Sequence, residues 1–376
     1  MAFDRNNYTI RKNAGRIDAL TGARYVAIML IVFSHFEFLG KDEILGEIYW
    51  KYFHNATLGV DYFFTLSGFG MMYSFINKSE SKEKYSILDC ISYGWRHVKK
   101  IYSVYFITLV LGAIYYIIVG MFEYGKGFFE SIAKSLTFLV IDASLLQSLT
   151  GIKKFSHSLN GVCWFLSTLF CIYIVSPMIG RRLKKSLNDG KKNVIGIVVN
   201  IVLSVLLAYV FRKIENRTIF DDLCYGSPYR RVFYVIMGMH LAQLYNISMM
   251  KKIVDKERIE YFIFLLAFVW YLTRGIVASR IGVGIYIIDM IIVASIVFYL
   301  AAGTGTISKF FCSKTMVNLG SISMYIFLVH YIIGLFTHQI MSLFFENTLI
   351  VAIIESCVIL LLTHFVSILI YYLKKC

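Results

Sequence analysis

Two residues in the first apolar stretch of the chain combine a permanent charge with a titratable ring. Arg24 and His35 lie 11 positions apart, which in an α-helix is about three turns and about 16 Å along the axis. Their side chains would then project from nearly the same face. A guanidinium binds anions and an imidazole transfers protons near neutral pH, so the pair predicts anion binding at Arg24 and proton transfer at His35. The alternative is an arginine that reaches the lipid headgroups and a histidine that bonds a neighbouring helix.

A second group of basic residues, Arg96, His97, Lys99 and Lys100, precedes the stretch that we expect to form the third membrane helix. Basic side chains at a helix start offer phosphate both charge and backbone N–H donors. The cluster therefore predicts a phosphate-binding site. The alternative is that these residues only supply the positive charge that membrane proteins keep on the cytoplasmic side.

Other polar residues lie in apolar stretches, where a charge costs several kcal/mol. Asp61, near the start of the second stretch, could cap a helix or pair with a cation. Ser67, Gly68, Gly70 and Ser74 form a face of small residues, which predicts close packing of another helix at the glycines. Four more ionisable residues are expected to bond neighbouring helices: Asp289, His330, Glu355 and His364.

These residues must be positioned by helices that cross a membrane. The chain has 376 residues, of which 58% are hydrophobic and only 16% charged. A soluble domain has about 25% charged residues. Apolar runs such as 194–210 and 349–370 match the roughly 30 Å hydrocarbon core of a bilayer. With only 2 prolines, the chain also lacks a proline-rich linker. We therefore expect an all-α, polytopic helical bundle that forms one domain over residues 1–376.

The apolar runs predict ten transmembrane helices, at about 17–38, 59–76, 101–122, 160–178, 194–211, 230–247, 259–273, 283–302, 321–344 and 349–372. A further run at 132–148 is interrupted by polar residues. If it does not span, 24 Lys and Arg residues lie inside and 13 outside, whereas the split is 19 to 18 if it does. The positive-inside rule favours the first arrangement, with both termini cytoplasmic. Segment 123–159 is then an outer connection that contains an interfacial or re-entrant helix.

Several other classes of site are not supported by the sequence. The 7 cysteines form no CxxC pair and no Cys/His cluster, so neither a disulfide framework nor a metal site is expected. Nucleotide-binding glycine loops and the GxSxG and HExxH motifs are also missing from the sequence. The net charge of +15 is attributed to loops that face an anionic lipid bilayer, and no nucleic-acid partner is expected.

The order of these motifs resembles that of the acyltransferase-3 family of membrane O-acyltransferases, which modify bacterial polysaccharides, lipopolysaccharide, peptidoglycan and some small molecules. Its first helix carries a basic residue, ten residues and an essential histidine, like Arg24 and His35. Four further segments of this chain are similar to family motifs: Gly59–Phe69, Trp164–Leu166 followed by Pro177, Arg231–Gly238 and Leu319–His330.

The resemblance implies a multi-pass protein of the cytoplasmic membrane that transfers an acyl group. The donor would be acyl-CoA, expected to be acetyl-CoA, with its phosphates at the basic cluster and Arg24 further along the passage. The acceptor would be a hydroxyl of a cell-envelope glycan or lipid-linked sugar. His35 would act as general base or form a covalent acyl-histidine. The remaining motif residues are expected to line the passage for substrate: Asp61, Ser67, Trp164 and His330.

The sequence departs from the family pattern in three places. The usual RxxRIxP element is replaced by residues 97–103. Alignment on Ile101 places His97 and Lys100 at the arginine positions, and a shift of one residue places Arg96 and Lys99 there instead, so the charge is kept but the paired arginines are lost. A glutamate found in some members five residues after the tryptophan is Leu169 here. The chain ends at Cys376 without an appended SGNH-type domain, so the stand-alone form is expected. The rival interpretations are a transporter or flippase for a lipid-linked saccharide and, more weakly, a structural export subunit.

Overall fold

The computed structural model describes residues 16–41, 45–77, 85–214, 216–251, 257–303, 305–346 and 348–375, and the regular elements in these ranges are all helical. The α-helices are α1 (Asp18–Phe33), α2 (Leu45–Ile48), α3 (Thr57–Asn77), α4 (Ile87–Phe122), α5 (Phe128–Ala143), α6 (Lys153–Ser156), α7 (Trp164–Leu183), α8 (Gly190–Phe211), α9 (Arg217–Tyr225), α10 (Pro228–Lys251), α11 (Glu257–Ile281), α12 (Ile285–Ala302), α13 (Thr306–Phe311), α14 (Lys314–Phe344) and α15 (Leu349–Leu373). Short 3₁₀ helices occupy Glu37–Lys41, Gln147–Thr150, Lys184–Ser186 and Gly282–Gly284, and Tyr49–Phe53 is a π-helical turn.

The expectation of an all-α polytopic membrane protein is confirmed. Within the described ranges, six helical stretches are long and apolar enough to cross a bilayer: Ile87–Phe122, Trp164–Ser186, Gly190–Phe211, Arg258–Ala302, Lys314–Phe344 and Leu349–Leu373. The stretch Arg258–Ala302 holds 45 residues and combines α11 with α12. The predicted spans at α1, α3 and α10 are helical as well, although they carry more polar side chains or are shorter. The total of ten crossings and the side of each terminus stay predictions.

The outward faces of the bundle are apolar, as helices that contact lipid tails must be. Examples of exposed side chains are Leu206 on α8, Phe268 on α11 and Phe365 on α15, with exposed fractions of 54%, 61% and 67%. Polar and charged side chains such as Asp61 and Arg231 are instead buried at 0% exposure. The polarity of the bundle is therefore reversed relative to a soluble protein, and its chemistry must occur inside.

Helices α3 and α10 cross at a point where both have glycine. A Cβ atom on Gly68 would lie 1.8 Å from the Val235 carbonyl oxygen, and one on Gly238 would lie 2.0 Å from the Thr65 oxygen. No other residue allows this backbone approach, so the predicted close packing at Gly68 is confirmed. The same prediction was wrong for Gly70, where a Cβ atom would meet nothing within 4 Å because Gly70 and Ser74 line a cavity instead of a helix contact. The crossing brings two of the motif segments, Gly59–Phe69 and Arg231–Gly238, into contact.

A similar approach joins α1 to α14. A Cβ atom on Gly320 would lie 1.8 Å from the Thr21 carbonyl oxygen. The two helices run side by side from this point, and α14 carries His330 to the level of His35. The glycine in the motif Leu319–His330 thus determines which side chains meet at the far end of α1.

Helix α5 lies against α4 and runs in the opposite direction. As α5 proceeds, its contacts move back along α4. Ser131 contacts Gly120, and Ser135 contacts Ala113. At the end of α5, the Tyr105 hydroxyl donates to the Asp142 carbonyl at 2.6 Å and the Tyr102 hydroxyl donates to the Ala143 carbonyl at 2.8 Å. The chain then returns, because the Leu159 carbonyl lies 2.3 Å from the Cβ position of Gly112. Segment 123–159 therefore runs along α4 as far as Tyr102 and returns to the level of Gly112 before α7 begins, and its position on the outer side of the membrane stays a prediction.

Several expected helix boundaries were wrong, and those of α1 and α4 affect the candidate site. The first helix does not continue to residue 38 but ends at Phe33, where Ser34 Oγ donates to the Ile31 carbonyl at 2.7 Å and Tyr49 donates to the Ser34 carbonyl at 2.8 Å. The third predicted span begins at Ile87 rather than near residue 101, because Ser86 and Asp89 form a capping box. His35 is thus held by a turn, and the basic cluster lies within a helix.

Candidate active site

His35 and His330 form a pair of hydrogen-bonded imidazoles. The Nδ1 atom of His35 lies 2.8 Å from the Ile31 carbonyl oxygen and 3.3 Å from Nε2 of His330, whose own Nδ1 lies 2.9 Å from the Ile326 oxygen. A carbonyl oxygen can only accept, so this pattern assigns the proton of each neutral ring to Nδ1. The His35 N–H group then points to Ile31 and His330, and its Nε2 keeps a free lone pair.

This arrangement suits a base or a nucleophile. The partners on Nδ1 fix both the tautomer and the ring orientation of His35, as the second partner of a catalytic histidine does in other enzymes. When Nε2 gains a proton or an acyl group, the resulting positive charge is shared through Nδ1–H with the lone pair of His330. His330 is 2% exposed and therefore serves His35 rather than bulk water.

Two cavities meet at His35. The smaller, about 230 Å³, is lined by Glu37, His330 and His338 among others. The larger, about 600 Å³, also contacts Tyr331 and has a mixed wall of aromatic and ionisable groups. That wall includes His54, Lys153, His157, Trp164, Asp221, Asp222, Tyr225, Tyr286 and Phe327. We call this larger space the His35 cavity. Its volume lies in the range of small-molecule sites, about 300–1,000 Å³.

Arg24 lines a different cavity of about 510 Å³ near the start of α1, which we call the Arg24 cavity. Arg16, Tyr73 and Asn77 contribute to the same wall, which contains two arginines and no carboxylate. The Nε atom of Arg24 is buried without a hydrogen-bond partner, and no carboxylate among the described residues forms an ion pair with this guanidinium. The Arg24 cavity is therefore a basic pocket with an unused donor, as an anion site requires.

The structure separates the two cavities that the sequence placed on one passage. They share no lining residue, and Ala27 and Ile28 lie between them on α1 with exposures of 6% and 0%. In addition, the Ala27 carbonyl lies 2.4 Å from the Cβ position of Gly59 on α3. Arg24 and His35 therefore line two separate cavities, and the single passage on which the sequence placed them is not observed among the described residues.

Asp61 belongs to a buried cluster of charges behind the His35 cavity. Its carboxylate pairs with Arg231, both side chains being 0% exposed, so the ion pair rather than the helix cap is observed. Arg274 forms a second pair with Asp289 at 2.8 Å, and Arg230 lies over the Tyr286 ring at 3.8 Å. The cluster holds one more arginine than carboxylate. Arg230 and Arg231 each keep one buried nitrogen without a partner.

The basic residues of α4 divide into two groups. The ring of His97 lies 4.3 Å from Tyr93 and 4.8 Å from Tyr173, and Tyr173 interacts electrostatically with Arg24. His97 is thereby connected to the Arg24 end of the bundle. Arg96, Lys99 and Lys100 are exposed on α4, with Arg96 donating to Ser92 Oγ at 3.1 Å. Because they lie inside a helix, their backbone N–H groups bond within it and are not offered to phosphate, which corrects the helix-start argument.

The remaining motif residues lie in two environments. Ser67 donates to the Phe63 carbonyl at 2.8 Å and bonds Tyr173, so it supports the wall near Arg24 without lining either cavity. Trp164 begins α7 and contributes to the His35 cavity, where it packs beside His157.

The other ionisable residues of the helices do bond neighbours as expected: Asp289 to Arg274, Glu355 to His338 and His364 to Tyr25.

Several residues of the two cavities were not found from the sequence. Nothing in the sequence distinguishes Arg16 from the other basic residues, yet it lines the Arg24 cavity and donates to Ser321 at 3.2 Å. Ser156, His157 and Asp222 come together beside the His35 cavity from two distant segments. Their spacing carries no pattern that would have brought them together.

A helical membrane bundle with an oriented histidine that lines two cavities defines a candidate membrane-embedded transferase. The family model described as an acyltransferase domain, that of the acyltransferase-3 family, matches residues 17–372. The chain therefore belongs to the acyltransferase-3 family and is a membrane acyltransferase. No curated protein and no solved structure matches it.

Proposed function

We propose that this protein is an O-acyltransferase of the cell membrane that moves an acyl group, in the simplest case acetyl, from acyl-CoA to a hydroxyl of a cell-envelope glycan or lipid-linked sugar. The observation that carries the proposal is the orientation of His35. Its Nδ1 is engaged by Ile31 and His330, which leaves Nε2 available at a cavity of about 600 Å³. A neutral imidazole in this state can accept a proton or attack a carbonyl carbon.

The Arg24 cavity supports binding of the anionic donor. Coenzyme A carries several phosphate charges, and the cavity presents two arginines, of which Arg16 pairs with Asp18 whereas Arg24 has no carboxylate partner among the described residues. His97 contacts the same region through Tyr173. We assign the Arg24 cavity to the coenzyme, on the side that the positive-inside rule predicts to be cytoplasmic. Arg96, Lys99 and Lys100 remain candidates for contacts with the outermost phosphates.

The acyl group must then reach His35. The axial rise of about 16 Å between Arg24 and His35 suits an extended pantetheine arm that lies along α1. Ala27 and Ile28 close this route in the structure. The proposal therefore requires α1 and α3 to separate locally when the donor binds, as gating segments of enzymes commonly do.

In the reaction, His35 Nε2 either removes the proton from the acceptor hydroxyl or attacks the thioester itself. In both cases His35 becomes positively charged and its Nδ1–H donates more strongly to Ile31 and His330. The aromatic wall formed by Trp164 and Tyr331 offers the apolar faces that sugar rings pack against.

A thiol-release assay tests this proposal against the rival transporter or flippase. Purified protein in detergent is mixed with acetyl-CoA and candidate glycosides, and free coenzyme A is followed with a thiol reagent. We expect release that depends on the acceptor and is lost in His35→Gln. His364→Gln is the matched control, because His364 bonds Tyr25 and lines neither the Arg24 cavity nor the His35 cavity. Movement of a labelled lipid-linked sugar across vesicles without thiol release would instead support transport.

A further inference from the structure

The His35 cavity contains a second imidazole, that of His157, which follows α6. We propose that His157, oriented by Asp222 through Ser156, is the base that deprotonates the acceptor alcohol, and that Asp222 binds a neighbouring hydroxyl of the same sugar. This inference rests on the proposed function. It adds an acceptor subsite for a vicinal diol to the donor chemistry at His35.

The hydrogen bonds of Ser156 orient His157. Its Oγ lies 2.7 Å from Asp222 Oδ1 and 2.7 Å from His157 Nδ1, and Nδ1 lies 3.5 Å from the same carboxylate oxygen. A carboxylate accepts, so the serine hydroxyl donates to Asp222 and its oxygen accepts the His157 Nδ1 proton. The chain of bonds therefore leaves the lone pair of His157 on Nε2.

The three residues are held by packing as well. Ser156 and Asp222 are only 1% and 3% exposed. The His157 ring stacks on Trp164 with a centroid distance of 6.0 Å and an interplanar angle of 29°. A Cβ atom on Gly226 would lie 2.7 Å from Asp222 Oδ1, so a larger residue there would displace the carboxylate. Packing and hydrogen bonds therefore fix the orientation of the His157 ring, as they do for residues that take part in catalysis.

Asp222 also has an unused acceptor. Its Oδ2 is buried and has no hydrogen-bond partner, although the residue contributes to the cavity wall. A buried carboxylate oxygen without a hydrogen bond lowers the stability of the protein unless a ligand donates that bond. A hydroxyl beside the one that His157 deprotonates can donate to Oδ2. Adjacent hydroxyls are the defining feature of sugars and other polyols, so the pair His157 and Asp222 fits that class of acceptor.

A second base is needed if the acyl group passes through His35. In the first step, the His35 Nε2 lone pair attacks the thioester carbonyl, the C–S bond breaks and coenzyme A leaves as the thiolate. While Nε2 carries the acyl group it has no lone pair to accept a proton. In the second step, His157 Nε2 takes the alcohol proton as the alcohol oxygen attacks the acyl carbon and the C–N bond to His35 breaks. The proton then passes to the thiolate, which balances thioester plus alcohol against ester plus thiol.

The test compares nucleophiles that differ in their need for a base. Purified full-length protein is given acetyl-CoA with either methyl glycosides of glucose, galactose and N-acetylglucosamine or hydroxylamine, and protein-free rates are subtracted. Hydroxylamine is nucleophilic as the neutral amine. We expect His157→Gln to lower kcat for glycosides about 100-fold or more, a typical contribution of a general base, while transfer to hydroxylamine keeps the wild-type rate. Added imidazole should restore glycoside transfer to His157→Ala.

The outcomes distinguish a failure of the proposed role of His157 from a failure of the proposed acyltransferase function. If His157→Gln lowers both reactions equally, or neither, the acceptor-base assignment is overturned. It is also overturned if the wild type acetylates hydroxylamine but none of the glycosides. If His35→Gln matches the wild type with every nucleophile, the proposed function itself fails. Asp222→Asn should in addition abolish the preference for methyl glucoside over its 2-deoxy analogue, whereas His364→Gln should behave as wild type throughout.

Discussion

Replacing Asp61 with asparagine should destabilise the bundle more than replacing its partner Arg231 with methionine. Both side chains are fully buried, and their ion pair ties α3 to α10. Removing one partner of a buried pair leaves the other charge without compensation, which typically costs about 3–5 kcal/mol. The expected asymmetry comes from the charges that surround the pair.

Three arginines and two carboxylates interact in this cluster: Arg230, Arg231, Arg274, Asp61 and Asp289. Asp61→Asn leaves all three arginines with only Asp289 as counter-charge, so the full cost of about 3–5 kcal/mol is expected. Arg231→Met leaves two charges of each sign, and the Asp61 carboxylate keeps the attraction of the remaining arginines. We therefore expect a smaller loss, about 1–3 kcal/mol. The double variant should be more stable than Asp61→Asn alone.

Thermal unfolding of the purified protein in a mild detergent measures this order. Asp18→Asn is the control, because Asp18 pairs with Arg16 at the surface with side-chain exposures of 51% and 53% and should contribute little. A lower apparent Tm for Arg231→Met than for Asp61→Asn would show that the excess of arginines does not set this order. The expected cost of losing the ion pair would be refuted if Asp61→Asn unfolded at the temperature of Asp18→Asn.

Further substitutions test the Arg24 cavity and the helix crossing. In steady-state thiol release, Arg24→Gln should raise the KM for acetyl-CoA more than it lowers kcat, and the combined change of Lys99 and Lys100 to Ala should do so to a smaller extent. A fall in kcat alone would show that these residues do not bind phosphate. Gly238→Val should reduce the yield of folded, monodisperse protein on size exclusion, because the valine side chain would overlap α3. Gly70→Ala is the control and should leave the yield unchanged. Equal yields of the two variants would contradict the close crossing of α3 and α10.

Most of the membrane helices could be predicted from the sequence because each contains a long apolar run. The run at Leu349–Leu373, for example, has the length and polarity that the bilayer imposes. The same reasoning could not give the ends of α1 and α4. These depend on local hydrogen bonds, such as that from Tyr49 to the Ser34 carbonyl and the capping box at Ser86, which hydropathy does not detect.

The motif residues were predictable as a set, but their mutual positions were not. The spacing of Arg24 and His35 placed them on one side of α1, whereas the barrier at Ile28 depends on how α3 packs across that side. The partner of Asp61 is 170 positions away, and nothing in the Gly59–Phe69 motif indicates it. Helix crossings determine such pairs, so they require coordinates.

The contacts around His157 were even less predictable from the sequence. Ser156 and Asp222 are 66 positions apart and lie in short helices that join the long ones. Hydropathy treats both segments as connections, and a single serine, histidine or aspartate in a connection is a common surface residue. Their burial together becomes visible only when α9 packs beside α6.

The proposed transfer of an acyl group by His35 to a hydroxyl of the cell envelope can be measured by mass spectrometry of envelope glycans. The glycans come from cells that produce either the wild-type protein or His35→Gln at equal membrane levels. We expect a glycan fraction heavier by one acyl unit in the wild type alone. The same modified fraction in cells with His35→Gln would contradict this proposal.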